Sequence, residues 1–163
     1  MQDISEEVYE WRSKKLDRCY FTLNIDCTYI SIRDNKDINT HKIPVYVVVG
    51  TKLSGHKEIV GIYLGNEDEN KNIIDELHNE NIAEATSFWV SVFSDLKARE
   101  IKKVLYVISD GLSGIENAVK DSFSGVFYQR CVVHLVRDLK NYTNKSNAKE
   151  VIYNFKKNIQ FYF

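Results

Sequence analysis

The sequence predicts an α/β fold in which a mixed sheet begins as a three-strand antiparallel meander and continues as α-β-α-β-α, with helices on its faces. Three observations carry this. Residues 19–64 contain three strand-like patterns separated by turn residues, and residues 84–100 contain a single amphipathic stripe. Residues 104–108 then form an unbroken apolar run between two helical segments.

Residues 5–18 carry Glu6, Glu7, Glu10, Lys14, Lys15, Asp17 and Arg18 with few apolar anchors, and read as a leader over 1–18. From Cys19 the pattern changes. Phe21, Leu23, Ile25, Cys27 and Tyr29 alternate with Thr22, Asn24, Asp26 and Thr28, the period of a strand with one wet face. The phase flips at Ile30 and Ile32, which predicts a bulge or the strand's end there. Residues 34–37 form a turn cluster, and strands follow at 43–49 and 58–64 with Gly55 in the loop between them. Residues 66–82 read as an acidic surface insertion, with Ile73, Ile74 and Leu77 suggesting a weak helical turn or two.

The strongest helix is 84–100, where Ala85, Phe88, Trp89, Val92, Phe93 and Leu96 recur at helical spacing. Lys97 and Arg99 fall in its last turns, where cations suit the helix dipole. The run 104–108 reads as a central strand covered on both faces and ends at Ser109-Asp110-Gly111. Ser113 and Glu116 have the spacing of a capping box opening a helix to about Phe123. A strand at 126–128, a helix from Val132, a break at 144–147 and a Lys-rich helix over 148–159 complete the chain.

Composition narrows the function. The 163 residues, 44% apolar and 28% charged with one Pro and seven Gly, exclude disordered and fibrous classes and fit one domain. Apolar runs of about five residues are too short to span a bilayer. The start of the chain lacks a secretory signal, so a soluble cytoplasmic protein is expected. A net charge of −1 gives no general attraction to nucleic acid, so such binding must come from a local site. Cys19, Cys27 and Cys131 are odd in number and irregularly spaced, as expected for reduced thiols.

Two acids stand out. Asp26 lies mid-strand on the polar face, and Asp110 ends the most apolar strand. Ligands gather at the carboxyl ends of strands in open α/β sheets. If the two strands are neighbours, both carboxylates meet at one spot, where they repel unless a cation lies between them or one is protonated. Mg²⁺ suits hard oxygen ligands and leaves positions open for phosphate. The plainer alternatives are a solvent-facing strand residue at Asp26 and a strand-to-helix turn at Asp110. Cys131 and His134 form a C-x-x-H pair, which as a zinc site lacks ligands and otherwise reads as a buried Cys beside a helix-start His. Arg130 and Arg137 either touch phosphates or line a solvated helix face.

Five collinear segments carry a resemblance. They are Leu23-Asn24-Ile25-Asp26-Cys27-Thr28-Tyr29, Gly55-His56-Lys57-Glu58-Ile59-Val60-Gly61, Phe88-Trp89 through Asp95-Leu96-Lys97-Ala98-Arg99, Ile108-Ser109-Asp110-Gly111-Leu112-Ser113-Gly114, and Tyr128-Gln129-Arg130-Cys131 through His134 to Arg137. Together they resemble the bacterial mutator-type transposases of insertion sequences, over roughly residues 5–145. That resemblance implies an RNase H-like core with three metal-binding acids, the first two at Asp26 and Asp110, and a two-ion Mg²⁺ or Mn²⁺ site in the intact protein. It also implies DNA partners (terminal inverted repeats and target), a homo-oligomer in the intact enzyme, and a bacterial cytoplasmic location. Arg130, Cys131, His134 and Arg137 match the element after the second acid, with a structural or DNA-contact role.

The departures also shape the expectation. No residue matches the family's third acid, a Glu beyond a helical insertion, and no N-terminal DNA-binding region precedes the core. Residues 19–163 are thus expected as a partial core, incomplete at the C-terminus, from a truncated copy with little activity. Arg99-Glu100 stands where Arg-Gly is usual. Two other functions compete: a non-catalytic interaction module that pairs with full-length transposase, and a metal-free acid–base hydrolase using the same two acids.

Overall fold

The computed structural model describes residues 4–33, 40–65, 79–142 and 147–159. The elements run α1 (Ile4–Ser13), β1 (Cys19–Arg33), β2 (Thr40–Lys52), β3 (Lys57–Leu64), α2 (Asn79–Ala98), β4 (Lys103–Ser109), α3 (Ile115–Ser122), β5 (Phe127–Arg130), α4 (Val132–Tyr142) and α5 (Ala148–Ile159). The turn at 34–37, residues 66–78 of the expected 66–82 insertion and residues 144–146 of the expected 144–147 break lie outside the described residues, and residues 79–82 belong to α2 rather than to an insertion. The leader carries a helix, α1, and its Leu16 is buried. None of the described helices is long and apolar enough to cross a membrane.

The strands form one sheet in the order β3-β2-β1-β4-β5. The pairs β1/β2 and β2/β3 are antiparallel, and β1/β4 is parallel. This is the mixed, RNase H-like sheet that the meander and crossover helices predict. The chain divides into two compact units, residues 1–129 with α1–α3 and most of the sheet, and residues 130–163 with α4 and α5.

The core of the first unit lies between one sheet face and helices α2 and α3. Tyr20, Leu23, Ile25, Val48 and Val60 from the strands meet Trp89, Val92, Phe93 and Leu96 of α2 and Ile115 and Val119 of α3. Tyr46 stands edge-on to Trp89 at 4.9 Å, and Phe93 packs on Phe123 at 5.6 Å. Burying a side chain such as Phe93 or Leu96 stabilises the fold by about 1.5–3 kcal/mol each, so this layer dominates stability.

Two expectations are corrected. The irregularity in β1 falls between Tyr20 and Thr22, not at Ile30, and β1 pairs with β2 without a shift from Thr22 to Arg33. The bulge swaps the phase, so Tyr20 rather than Phe21 joins Leu23 and Ile25 in the core. Phe21 instead lies 5.7 Å from the Tyr106 ring. The capping box also fails. The N-cap of α3 is Gly114 in the left-handed region at φ 68, with no side-chain cap bond, and Glu116 pairs forward with Lys120. A Cβ on Gly114 would lie 2.5 Å from the Thr86 nitrogen, so close helix approach selects glycine there over a capping side chain.

The end of α2 explains the Arg99-Glu100 pair. The Glu100 amide donates to the Lys97 carbonyl and the Ile101 amide to the Leu96 carbonyl, while Glu100 has φ 84. These are the two bonds of a Schellman stop, with buried Leu96 and Ile101 as its apolar pair. Arg99 sits just past the helix and is 9% exposed. Its guanidinium donates to the carbonyls of Val60 at 2.6 Å, Lys14 at 3.1 Å and Trp11 at 3.4 Å. One cation therefore ties α1 and its tail to the sheet edge.

Candidate functional site

Asp26 and Asp110 are brought together by register. From Cys19 to Ile25, every paired residue of β1 faces the β4 residue 84 positions later. Asp26 and Asp110 are the next positions outward, and in a parallel pair such neighbours project to the same face. Their nearest carboxylate oxygens lie within 4.8 Å of each other. Asp26 is exposed and Asp110 half-buried.

Local structure holds each acid. The Cys27 amide donates to Asp26 Oδ1 at 3.1 Å. Beyond Asp26, β1 continues against β2, with Asp26 opposite Val47. Asp110 follows the last residue of β4, and Gly111 takes φ 88. The Gly111 amide donates to Ser109 Oγ at 3.4 Å, and Ser109 Oγ shares a 2.9 Å hydrogen bond with Tyr128 OH of β5. Further along, Trp89 Nε1 donates to the Ser113 carbonyl at 3.2 Å. The loop carrying Asp110 is thus held at both ends.

A concavity of about 570 Å³ opens beside Asp26, lined by Asn24, Cys27, Thr28, Val47, Val49 and Lys57 as well as the acid. It places an ammonium and an amide on the rim of a carboxylate site. Two carboxylates this close repel unless a cation or a proton intervenes. Two Mg–O bonds in line span about 4.2 Å, so the donor pair matches one shared divalent ion after a small side-chain adjustment. The chemistry of the donors, all hard oxygens, also fits Mg²⁺ or Mn²⁺ rather than a thiophilic metal.

The remaining expected residues belong to the second unit. Arg130 ends β5, Cys131 precedes α4, and His134 and Arg137 lie one turn apart on α4. Arg137 Nη1 and His134 Nε2 are 3.5 Å apart. Cys131 is half-buried, and among the described residues Cys19, Cys27 and Cys131 form no disulfide. Arg130 and Arg137 are exposed.

Sequence reasoning found both acids but passed over Ser109, Tyr128, Asn24 and Lys57. Ser109 had a readable signal, a Ser two positions before a Gly, the spacing of a side-chain-closed turn. Tyr128 had none, because its partner is set by β5 lying next to β4.

The family profile described as "Transposase, Mutator family" matches residues 1–161. A probable transposase for an insertion sequence element from Corynebacterium diphtheriae is 28% identical over 91% of this chain and 38% of its own length. The transposase of IS256 in transposon Tn4001 from Staphylococcus aureus is 26% identical over 91% of this chain and 34% of its own. The chain therefore spans about a third of the length of these curated relatives. A solved structure, the Aquifex aeolicus member of the Ppx/GppA family, aligns over 68% of this chain and 34% of its own at TM-score 0.37 and 12% identity, too slight a likeness to argue from.

Proposed function

Because the chain belongs to the Mutator family of transposases, we propose that it carries the first two acids of a metal-dependent DNA phosphoryl-transfer centre serving the transposition of an insertion sequence. The observation that supports this reading is the register that sets Asp26 and Asp110 side by side just past the last paired residues of the parallel strands β1 and β4. In such a centre, bound divalent ions supply charge stabilisation for an in-line displacement at phosphorus and a nucleophile at neutral pH. Asp26 and Asp110 hold the cation. The Cys27 amide fixes the outer carboxylate, and Lys57 on the rim of the concavity offers a phosphate its counter-charge. Terminal-repeat and target DNA are the substrates this assigns, with Mg²⁺ or Mn²⁺ as cofactor and a homo-oligomer in the full-length enzyme.

A pair of carboxylates is expected to hold a divalent ion weakly. Arg130, Cys131, His134 and Arg137 support the fold or contact DNA on the second unit. Manganese titration followed by electron paramagnetic resonance tests the reading. The wild-type chain is expected to bind Mn²⁺, and Asp26→Asn and Asp110→Asn are each expected to reduce that binding at least about tenfold. Wild-type affinity in both variants, or no binding by the wild type, sinks the assignment.

A further inference from the structure

We infer that Ser109 and Tyr128 are positioning residues for Asp110, a role that rests on the metal-centre reading above. Ser109 is fully buried on the core side of β4, while Asp110, the next residue, turns to the opposite face beside Asp26. If packing alone mattered at position 109, an apolar residue would serve, since Val107, two positions back on the same face of β4, is fully buried and apolar. The hydroxyl instead closes a ring. Its oxygen accepts the Gly111 amide, so the whole Asp110 backbone lies inside a hydrogen-bonded turn whose exit residue is held at φ 88.

That amide bond is long at 3.4 Å, and it needs the Ser109 rotamer to stay in place. Tyr128 supplies the restraint, with its phenol 2.9 Å from Ser109 Oγ across the β4–β5 boundary. The chain of contacts Tyr128–Ser109–Gly111 thereby fixes the direction in which Asp110 leaves the backbone. Support of this kind behind a ligand keeps its oxygens at cation distance without touching the cation.

The test compares Mn²⁺ affinity and thermal stability in the full 163-residue chain. Tyr128→Phe keeps the ring and removes only the hydroxyl, so it remains informative should Ser109→Ala fold poorly. Both variants are expected to weaken Mn²⁺ binding by about tenfold, and Ser109→Thr, which keeps the hydroxyl, to recover most of it. Ile115→Val, a core change at the start of α3, is expected to lower stability while leaving Mn²⁺ affinity unchanged. Wild-type affinity in Tyr128→Phe and Ser109→Ala, or an equal loss in Ile115→Val, overturns the inference. If the wild type binds no Mn²⁺, the metal reading fails on its own. The carboxyl-carbon NMR resonance of Asp110 in the metal-free protein then decides: displacement in Tyr128→Phe but not in Ile115→Val supports positioning, and an unmoved resonance overturns it.

Discussion

Replacing Arg99 with Met keeps most of the aliphatic stem and removes the guanidinium that ties three carbonyls together. The Val60 carbonyl accepts the shortest bond, 2.6 Å, in a buried setting. Leaving a buried acceptor of a charged donor without its partner costs about 2 kcal/mol. The Lys14 and Trp11 carbonyls are part-buried at 3.1 and 3.4 Å, where water can replace the donor in part. They add roughly 0.5 kcal/mol each. The Asp95 carboxylate, 3.9 Å away and 43% exposed, adds little. The expected loss is therefore about 3 kcal/mol, a large share of a typical domain's 5–15 kcal/mol. In urea, at a slope of about 2 kcal/mol per molar, the midpoint should fall by about 1.5 M with the slope unchanged. Tryptic cleavage after Arg12, Lys14 and Lys15 should accelerate before the sheet opens, because those residues lie in the segment Arg99 anchors. A loss under about 1 kcal/mol, or unchanged cleavage there, would refute the reasoning.

Two further outcomes follow from the same structure. Glu100→Gly should raise stability by about 0.5–1 kcal/mol in a thermal melt, since Glu100 holds φ 84 in a Schellman stop and its pairing with Lys15 is exposed. A lower melting temperature would show that the exposed ion pair outweighs backbone strain. The pH profile of unfolding should fall on both sides. Burial pushes the Glu58 carboxyl up, but hydrogen bonds from Tyr20 and Lys52 outweigh it and leave the group below its usual 4.5. Its stabilisation is therefore complete above that value and is lost as pH falls through the lower folded value. Burial first, then bonds to Glu58 and Asp95, hold the Tyr20 and Tyr63 phenols far above their usual 10. Stability from both is complete below that value and is lost as pH rises beyond it. Alkaline absorbance titration should show Tyr20 and Tyr63 ionising only with unfolding; ionisation of all ten tyrosines in the folded protein would contradict this.

Much of the fold was legible in the residues. Alternation gave β1, the apolar run gave β4, and the stripe from Ala85 to Leu96 gave α2. What stayed hidden depends on partners. The bulge at Phe21 arises from how β1 meets β2 and is invisible in an alternating pattern that looks continuous through Tyr29. The Ser113–Glu116 spacing mimicked a cap because sequence cannot see Thr86 crowding position 114. The carboxylate pair was legible as two candidates, and only the shared register of β1 and β4 turns them into neighbours. Ser109 carried a turn signal. Arg99, a charged residue in an apparent last helical turn, gave no hint of burial, because its three acceptors come from segments up to 88 positions away.

The irregular pairing of β3 has a consequence for solubility. Val60 is inserted between the residues that pair with Val48 and Val49, and its carbonyl is claimed by Arg99. The terminal strand of the sheet thus presents an interrupted row of backbone groups to any passing extended chain. Ile59, Ile62 and Leu64 are exposed there, a composition that on a flat margin would invite stacking into fibrils. A kink and one guanidinium leave that margin without the even spacing a templated strand requires.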